Sequence, residues 1–172
     1  QKIALLADAL VLDWVQFQAL TDRPAPQAQP AARAPARTRI AVAQDEAFCF
    51  AYAETLEALT AAGAELVPFS PLHDAALPPE LGGLYLPGGY PELYAGPLSE
   101  NRPMRASVRQ AVELGLPTVA ECGGFLYLGQ TLEDADGTVW PMAGVLPGSG
   151  FPVGRLVRFG YAELTACADS LL

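Results

Sequence analysis

The sequence predicts an α/β domain in three layers, a mostly parallel sheet with helices on both faces. Three observations carry that expectation. Short apolar runs alternate with helix-length segments from residue 38 onward. Two of these runs end directly in glycine-rich corners, Gly88-Gly89 and Cys122-Gly123-Gly124, and in such sheets the site sits at the carboxyl ends of the strands. A third run contains Pro68, whose missing N–H suits an edge strand.

Taken in order, residues 2–20 read as a helix. Ile3, Leu6, Leu10, Trp14 and Phe17 recur at three- and four-residue steps, a stripe wide enough to need a partner surface. Residues 22–37, DRPAPQAQPAARAPAR, are Pro- and Ala-rich without an apolar face and read as a mobile linker. The compact domain then spans 38–172. RIAVA (39–43) is the first strand. Phe48, Tyr52, Leu56 and Leu59 fall on one face of the helix expected next, and Gly63 closes it. ELVPF (65–69) and GLYLP (83–87) are the second and third strands. A helix is expected over 102–114, with Asn101 as N-cap and Gly115 at its end. PTVAE (117–121) is the fourth strand, and the apolar run FLYLGQTL follows the glycines at 123–124. DADG (134–137) is a turn; TVWPMAGVLPG and GRLVRFGYAEL read as further strands. Doubly wound connectivity gives the strand order 2-1-3-4.

Composition narrows the function classes. Ten basic against nineteen acidic residues give a net charge of −9, which disfavours binding to a nucleic-acid backbone. No run approaches the roughly 20 apolar residues that span a bilayer; Lys2, Asp8 and Asp13 interrupt the closest one. No basic segment precedes an apolar core as in a signal peptide. Cys49, Cys122 and Cys167 are widely spaced, so free thiols in a reducing cytoplasm are expected. A lone His73 with scattered cysteines makes no metal-ligand set. No GxxxxGK[ST] phosphate loop is present.

The chemistry concentrates at Glu121-Cys122-Gly123-Gly124. A strand, a cysteine and a helix follow one another without a spacer, so only a sharp turn joins them. The glycines supply close approach and unusual backbone angles. The pattern is that of a nucleophile elbow with a thiol in place of a hydroxyl. A helix N-terminus favours a thiolate there, and the N–H of Gly123 points where an oxyanion would form. Gly89 is the candidate second donor, with Gly88 allowing the bend. Away from such a setting, a cysteine is more often a small core residue, the reading given to Cys49 and Cys167. A Gly-Gly after a strand is, alone, usually only a turn, and Tyr90, Pro91 and Glu92 could simply begin a loop or helix.

LPGGYPELYA (86–95), AECGGFLYLG (120–129) and QDEAFCFAYAETLEALTAAGAELVPFSPL (44–72) resemble the C-terminal glutaminase domain of the cobyrinic acid a,c-diamide synthase family. PMAGVLPG (141–148) and RFGYAEL (158–164) fit the same family, so the resemblance covers about residues 38–165. It implies a class I glutamine amidotransferase-like, flavodoxin-like fold. It also implies Cys122 as nucleophile, Gly89 and Gly123 as oxyanion donors, and Gly88 and Tyr90 at the glutamine-binding surface. Ammonia released from glutamine would convert the a and c carboxylates of a corrin precursor, cobyrinate or hydrogenobyrinate, to amides. ATP and Mg²⁺ would serve a separate N-terminal domain, of which residues 1–21 resemble the last helix. The family's catalytic His lies in a GHEFHYS-like motif that this sequence lacks, so the chain alone is expected to turn over glutamine poorly. Expected partners are glutamine, the corrin precursor through the other domain, and a second copy in a homodimer. The alternatives are cobyric acid synthase, nickel-sirohydrochlorin a,c-diamide synthase, a non-enzymatic interaction module on the same fold, or a cysteine hydrolase or chaperone with a related elbow.

Overall fold

A computed structural model describes residues 13–21, 38–154, 163 and 165. The chain divides into two compact units, Gln1–Ala32 and Arg33–Leu172. In the first, helix α1 covers Trp14–Thr21. Asp13 caps it, its Oδ1 accepting the N–H groups of Val15 and Gln16 at 3.1 Å. The rest of the expected 2–20 helix, the linker 22–37 and nearly all of GRLVRFGYAEL lie outside the described residues.

The second unit is built on four parallel strands, β1 Thr38–Ala43, β2 Ala64–Phe69, β3 Gly83–Leu86 and β4 Thr118–Ala120. Their order is β2-β1-β3-β4, as the sequence predicts. Pro68 lies on the edge strand β2, opposite Val42, where its missing N–H costs no ladder bond. Helix α2 (Ala53–Ala61) connects β1 to β2. It ends through Ala62 and Gly63, the latter in the left-handed region at φ 97°, the closure expected of a C′ glycine.

The stretch before α2 departs from expectation. Phe48 and Tyr52 match the helical spacing of Leu56 and Leu59, yet the helix begins only at Ala53. Residues 45–48 form a turn instead. Asp45 Oδ1 accepts the N–H groups of Ala47 (2.9 Å) and Phe48 (3.0 Å), and Phe50 pairs in extended form with Gly88. An Asx turn plus one tertiary strand pair outweighs periodicity here. Phe48 is buried in the core while Tyr52 is exposed. Cys49, expected as a core residue, is exposed in this extended segment.

Between β3 and β4 lie a 3-10 turn at Pro91–Tyr94 and helices α3 (Ala95–Glu100) and α4 (Arg102–Glu113). Leu84 and Leu86 of β3 share one buried cluster with Leu98, Met104, Val108 and Tyr127. Asn101 caps α4 through Met104 N–H (3.4 Å), and its amide also donates to the carbonyls of Pro71 (2.8 Å), Leu72 (3.3 Å) and Asp74 (2.8 Å). Asn101→Ala removes the cap and strands these carbonyls. It should lower unfolding free energy by about 2 kcal/mol in urea titration. Asn101→Asp keeps the cap but turns a carboxylate oxygen toward the same three carbonyls, so it should cost at least as much as Ala.

After β4, helix α5 (Gly123–Leu128) leads to a three-stranded sheet of β5 (Thr131–Glu133), β6 (Val139–Pro141) and β7 (Ser149–Gly150), in the order β6-β5-β7. Strand β6 is antiparallel to β5 and β7 parallel to it. The DADG turn forms between β5 and β6, with Gly137 at φ 79° and Asp134 Oδ1 accepting the N–H groups of Asp136 and Thr138. The expected strand TVWPMAGVLPG is thus confined to Val139–Pro141.

Candidate functional site

The end of β4 makes the sharpest corner in the chain. Glu121 N–H still continues the ladder to Leu86 carbonyl (3.0 Å), and Gly124 N–H donates to Pro87 carbonyl (3.0 Å) and Glu121 carbonyl (2.8 Å). Between them Cys122 is forced to φ 46°, ψ −110°, a conformation that costs a non-glycine residue of order 1–3 kcal/mol. The strain therefore sits on the cysteine, not on the neighbouring glycines to which the sequence assigned it. Those glycines serve close approach. A Cβ on Gly124 would lie 2.1 Å from Leu86 carbonyl oxygen, and one on Gly123 would lie 2.8 Å from Pro91 Cδ and 3.1 Å from Gly89 N. Cys122 itself is exposed and stands at the N-terminus of α5.

Gly89 N is thus brought next to Gly123 from a separate strand end. Among the described residues, neither the Gly89 nor the Gly123 N–H meets a hydrogen-bond acceptor. The other polar groups of the two peptide units flanking Gly89 include Tyr90 N–H, which donates to Ala47 carbonyl (3.0 Å), and Gly88 carbonyl, which accepts from Phe50 (3.1 Å). Two free backbone donors beside an exposed thiol form an arrangement able to hold a developing oxyanion. Gly89 is needed for space, since a Cβ there would fall 2.0 Å from Ala47 carbonyl oxygen. Gly88 is not under that constraint; a Cβ would find Phe50 carbonyl oxygen at 3.4 Å.

Gly89, Tyr90 and Cys122 line one cleft of about 370 Å³, within the size range of small-molecule sites. Gly88 is not among the residues that line it. Sequence reading missed that Glu133, Asp134 and Phe151 line the same cleft, together with Glu92. Among the described residues no basic side chain lines the cleft. A hydrogen bond from Trp140 Nε1 (2.7 Å) and then the Thr138 N–H hold the Asp134 carboxyl below its ordinary range, so it stays ionised at neutral pH. Beside the elbow, Tyr85 donates to Glu121 Oε2 at 2.9 Å. Burial, then this bond, push its phenol up to about 12, so it remains a donor at neutral pH.

His73 is held away from this cleft. Its Nε2 pairs with Glu46 Oε2 at 3.0 Å in the exposed loop after β2. A local backbone bond and then His73 hold the Glu46 carboxyl below its usual range. β2 and β4 are opposite edges of the described sheet, and three strand spacings separate them by roughly 14 Å, well beyond proton-transfer reach. Among the described residues no three His, Cys, Asp or Glu side chains converge as a metal-ligand set. None of the described helices is long and apolar enough to cross a membrane.

Residues 39–163 match the CobB/CobQ-like glutamine amidotransferase domain. The chain is 45% identical over 153 residues to a cobyrinate a,c-diamide synthase of Dehalococcoides mccartyi, covering 89% of this chain and 33% of that protein. It is 40% identical over 163 residues to the enzyme of that name from Synechocystis (88% and 32%). It is 47% identical over 133 residues to that from Salmonella typhimurium (77% and 29%). The chain spans about a third of the length of these curated relatives.

Proposed function

The chain belongs to the CobB/CobQ-like glutamine amidotransferase domain family, and from that premise we propose that Cys122 takes ammonia from glutamine for amidation of a corrin precursor. The observation that carries this reading is the pairing of a strained, exposed cysteine with two unengaged N–H groups from separate strand ends.

The steps are those of a thioester mechanism. The Cys122 sulfur attacks the γ-carbonyl carbon of glutamine. The carbonyl electron pair moves to oxygen, which the N–H groups of Gly89 and Gly123 receive. The oxyanion collapses, the C–N bond breaks, and ammonia leaves with an added proton. Water hydrolyses the thioester to glutamate and the free thiol. Glu92, Glu133 and Asp134 give the cleft a negative wall suited to the α-ammonium of glutamine, and Tyr90 covers one side. His73, paired with Glu46 beside the far edge strand, is not the acid that protonates the departing nitrogen.

The acceptor follows from the relatives reported above, which carry the cobyrinate a,c-diamide synthase name. They favour cobyrinate or hydrogenobyrinate over the acceptors of cobyric acid synthase or nickel-sirohydrochlorin a,c-diamide synthase. The complete enzyme would then be a carbon–nitrogen ligase. ATP and Mg²⁺ belong to its activation step. The described residues offer neither a phosphate loop nor a metal-ligand set and so do not fit these groups; no step above runs through them.

A glutamine analogue with a diazoketone in place of the γ-amide tests the site. Incubated with this chain and mapped by mass spectrometry, it should alkylate Cys122 and leave Cys49 and Cys167 free. His73→Ala should be labelled at a rate within twofold of the native chain. Labelling spread equally over the three cysteines would overturn the assignment, and loss of labelling in His73→Ala would overturn the exclusion of His73.

A further inference from the structure

Asp45 is more heavily engaged than a loop carboxylate needs to be. Oδ1 accepts the N–H groups of Ala47 and Phe48 at 2.9 and 3.0 Å. Oδ2 accepts Ser70 Oγ–H at 2.8 Å and Leu72 N–H at 2.9 Å. One side chain thereby ties the turn after β1 to the loop after β2. Ser70 Oγ in turn accepts His73 N–H at 2.9 Å.

The turn so held touches both halves of the oxyanion site. Ala47, fully buried, accepts Tyr90 N–H at 3.0 Å. Its carbonyl is also the group against which Gly89 is pressed. Three residues on, Phe50 N–H donates to Gly88 carbonyl at 3.1 Å. The peptide units flanking Gly89 are therefore fixed from one side by residues 47–50, and Gly89 N–H is the donor left over. The Phe48 ring meets the Tyr127 ring edge-on at 5.5 Å, and Tyr127 lies on α5, which begins at Gly123. The same short turn thus locates the strand end bearing one donor and the helix bearing the other.

We propose that Asp45 is a positioning residue for the oxyanion hole. By fixing the 45–48 turn, it sets the distance and direction of the Gly89 and Gly123 N–H groups relative to Cys122. It touches neither glutamine nor the thiol and acts through Ala47 and Phe48. The inference rests on the oxyanion reading above. A backbone donor moved by an ångström no longer meets the oxyanion, although the thiol stays exposed and reactive.

Two probes separate these effects in the 172-residue chain. p-Nitrophenyl acetate acetylates a thiol through a tetrahedral oxyanion: a C–S bond forms, a C–O bond breaks, and nitrophenolate leaves without needing a proton. Iodoacetamide alkylates by displacement of iodide, with no oxyanion. Mass spectrometry reads both rates at Cys122 and at Cys49, an exposed thiol in the same chain that serves as internal reference. In the native chain the ratio of acetylation to alkylation should be at least tenfold higher at Cys122 than at Cys49. Asp45→Ala should reduce that excess about tenfold or more while alkylation of Cys122 stays within threefold. Asp45→Asn keeps one acceptor oxygen for Ala47 and Phe48 and should restore most of the excess. Should Asp45→Ala fail to fold, Ser70→Ala, which loosens the same carboxylate, should give a smaller fall in the same ratio.

A native chain with no excess at Cys122 would overturn the oxyanion reading itself. A native excess that survives in folded Asp45→Ala, or in Ser70→Ala where the former does not fold, would overturn the role of Asp45 alone. A parallel fall with both probes would do the same, because it would mark general loss of structure around the thiol.

Discussion

Cys122→Ala should abolish glutamine-dependent amidation in an enzyme that joins this domain to an ATP-dependent synthetase domain, while amidation with added ammonia continues. The expected loss is roughly 10⁴-fold or more, the scale seen when a covalent nucleophile is removed. Ammonia-dependent activity should persist under the proposed division of labour, in which carboxylate activation belongs to the synthetase domain and glutamine hydrolysis to this one. The backbone adds a second readout. Cys122 sits at φ 46°, ψ −110°, and alanine inherits the same strain, so Cys122→Ala should be about as stable as the native chain. Cys122→Gly relieves the strain and should be equally inactive yet more stable, by about 1 kcal/mol. Stability gained on losing the nucleophile is the mark of strain kept for function. Normal glutamine turnover by folded Cys122→Ala would move the site elsewhere.

The four-stranded order was legible because each strand is a short apolar run with its own punctuation. Pro68 marks the edge, and the Gly88-Gly89 and Cys122-Gly123 corners mark the carboxyl ends of β3 and β4. The elbow was legible for the same reason, since a strand, a cysteine and a helix with no spacer leave one geometry. Segments decided by distant partners were not legible. Phe48, Tyr52, Leu56 and Leu59 satisfy a helical period, but Asp45 folds 45–48 into a turn and Gly88 draws Phe50 into a strand pair. Helix α3 has no counterpart in the sequence reading: its six residues are too few to show a helical period, and Pro97 stands in its first turn, where proline is tolerated. The acidic wall of the cleft comes from Glu92 and from the start of the second sheet. These residues are forty positions apart in the chain, with no motif linking them. Sequence singled out Gly89 as the donor and gave Gly88 the bend, but it did not separate flexible turning from close packing; only the positions of Ala47 and Phe50 do so.

That last distinction makes the other large prediction. Gly89→Ala should lower glutaminase kcat about a hundredfold or more, on the scale of a lost oxyanion donor, with a smaller change in KM. A single methyl is enough. Its Cβ would lie 2.0 Å from Ala47 carbonyl oxygen, 2.8 Å from Ala47 carbonyl carbon and 2.9 Å from Phe48 Cα. All three are backbone atoms of a buried turn that Asp45 holds, so the obstacle does not swing aside as a side-chain tip would. The Gly89 segment must shift instead. Its N–H shifts with it, away from Gly123 and the Cys122 sulfur. Gly88→Ala is the matched control, because its Cβ would meet Phe50 carbonyl oxygen at 3.4 Å and Phe50 Cβ at 3.5 Å, distances the structure can absorb. It should keep kcat within a few-fold. Thermal unfolding of both variants shows whether the domain stays folded, and steady-state ammonia release in the complete enzyme gives kcat and KM. A folded Gly89→Ala enzyme with unchanged kcat would mean that the second oxyanion donor is not Gly89. Equal losses in Gly88→Ala and Gly89→Ala would mean that the loop as a whole, rather than this one N–H, governs the rate.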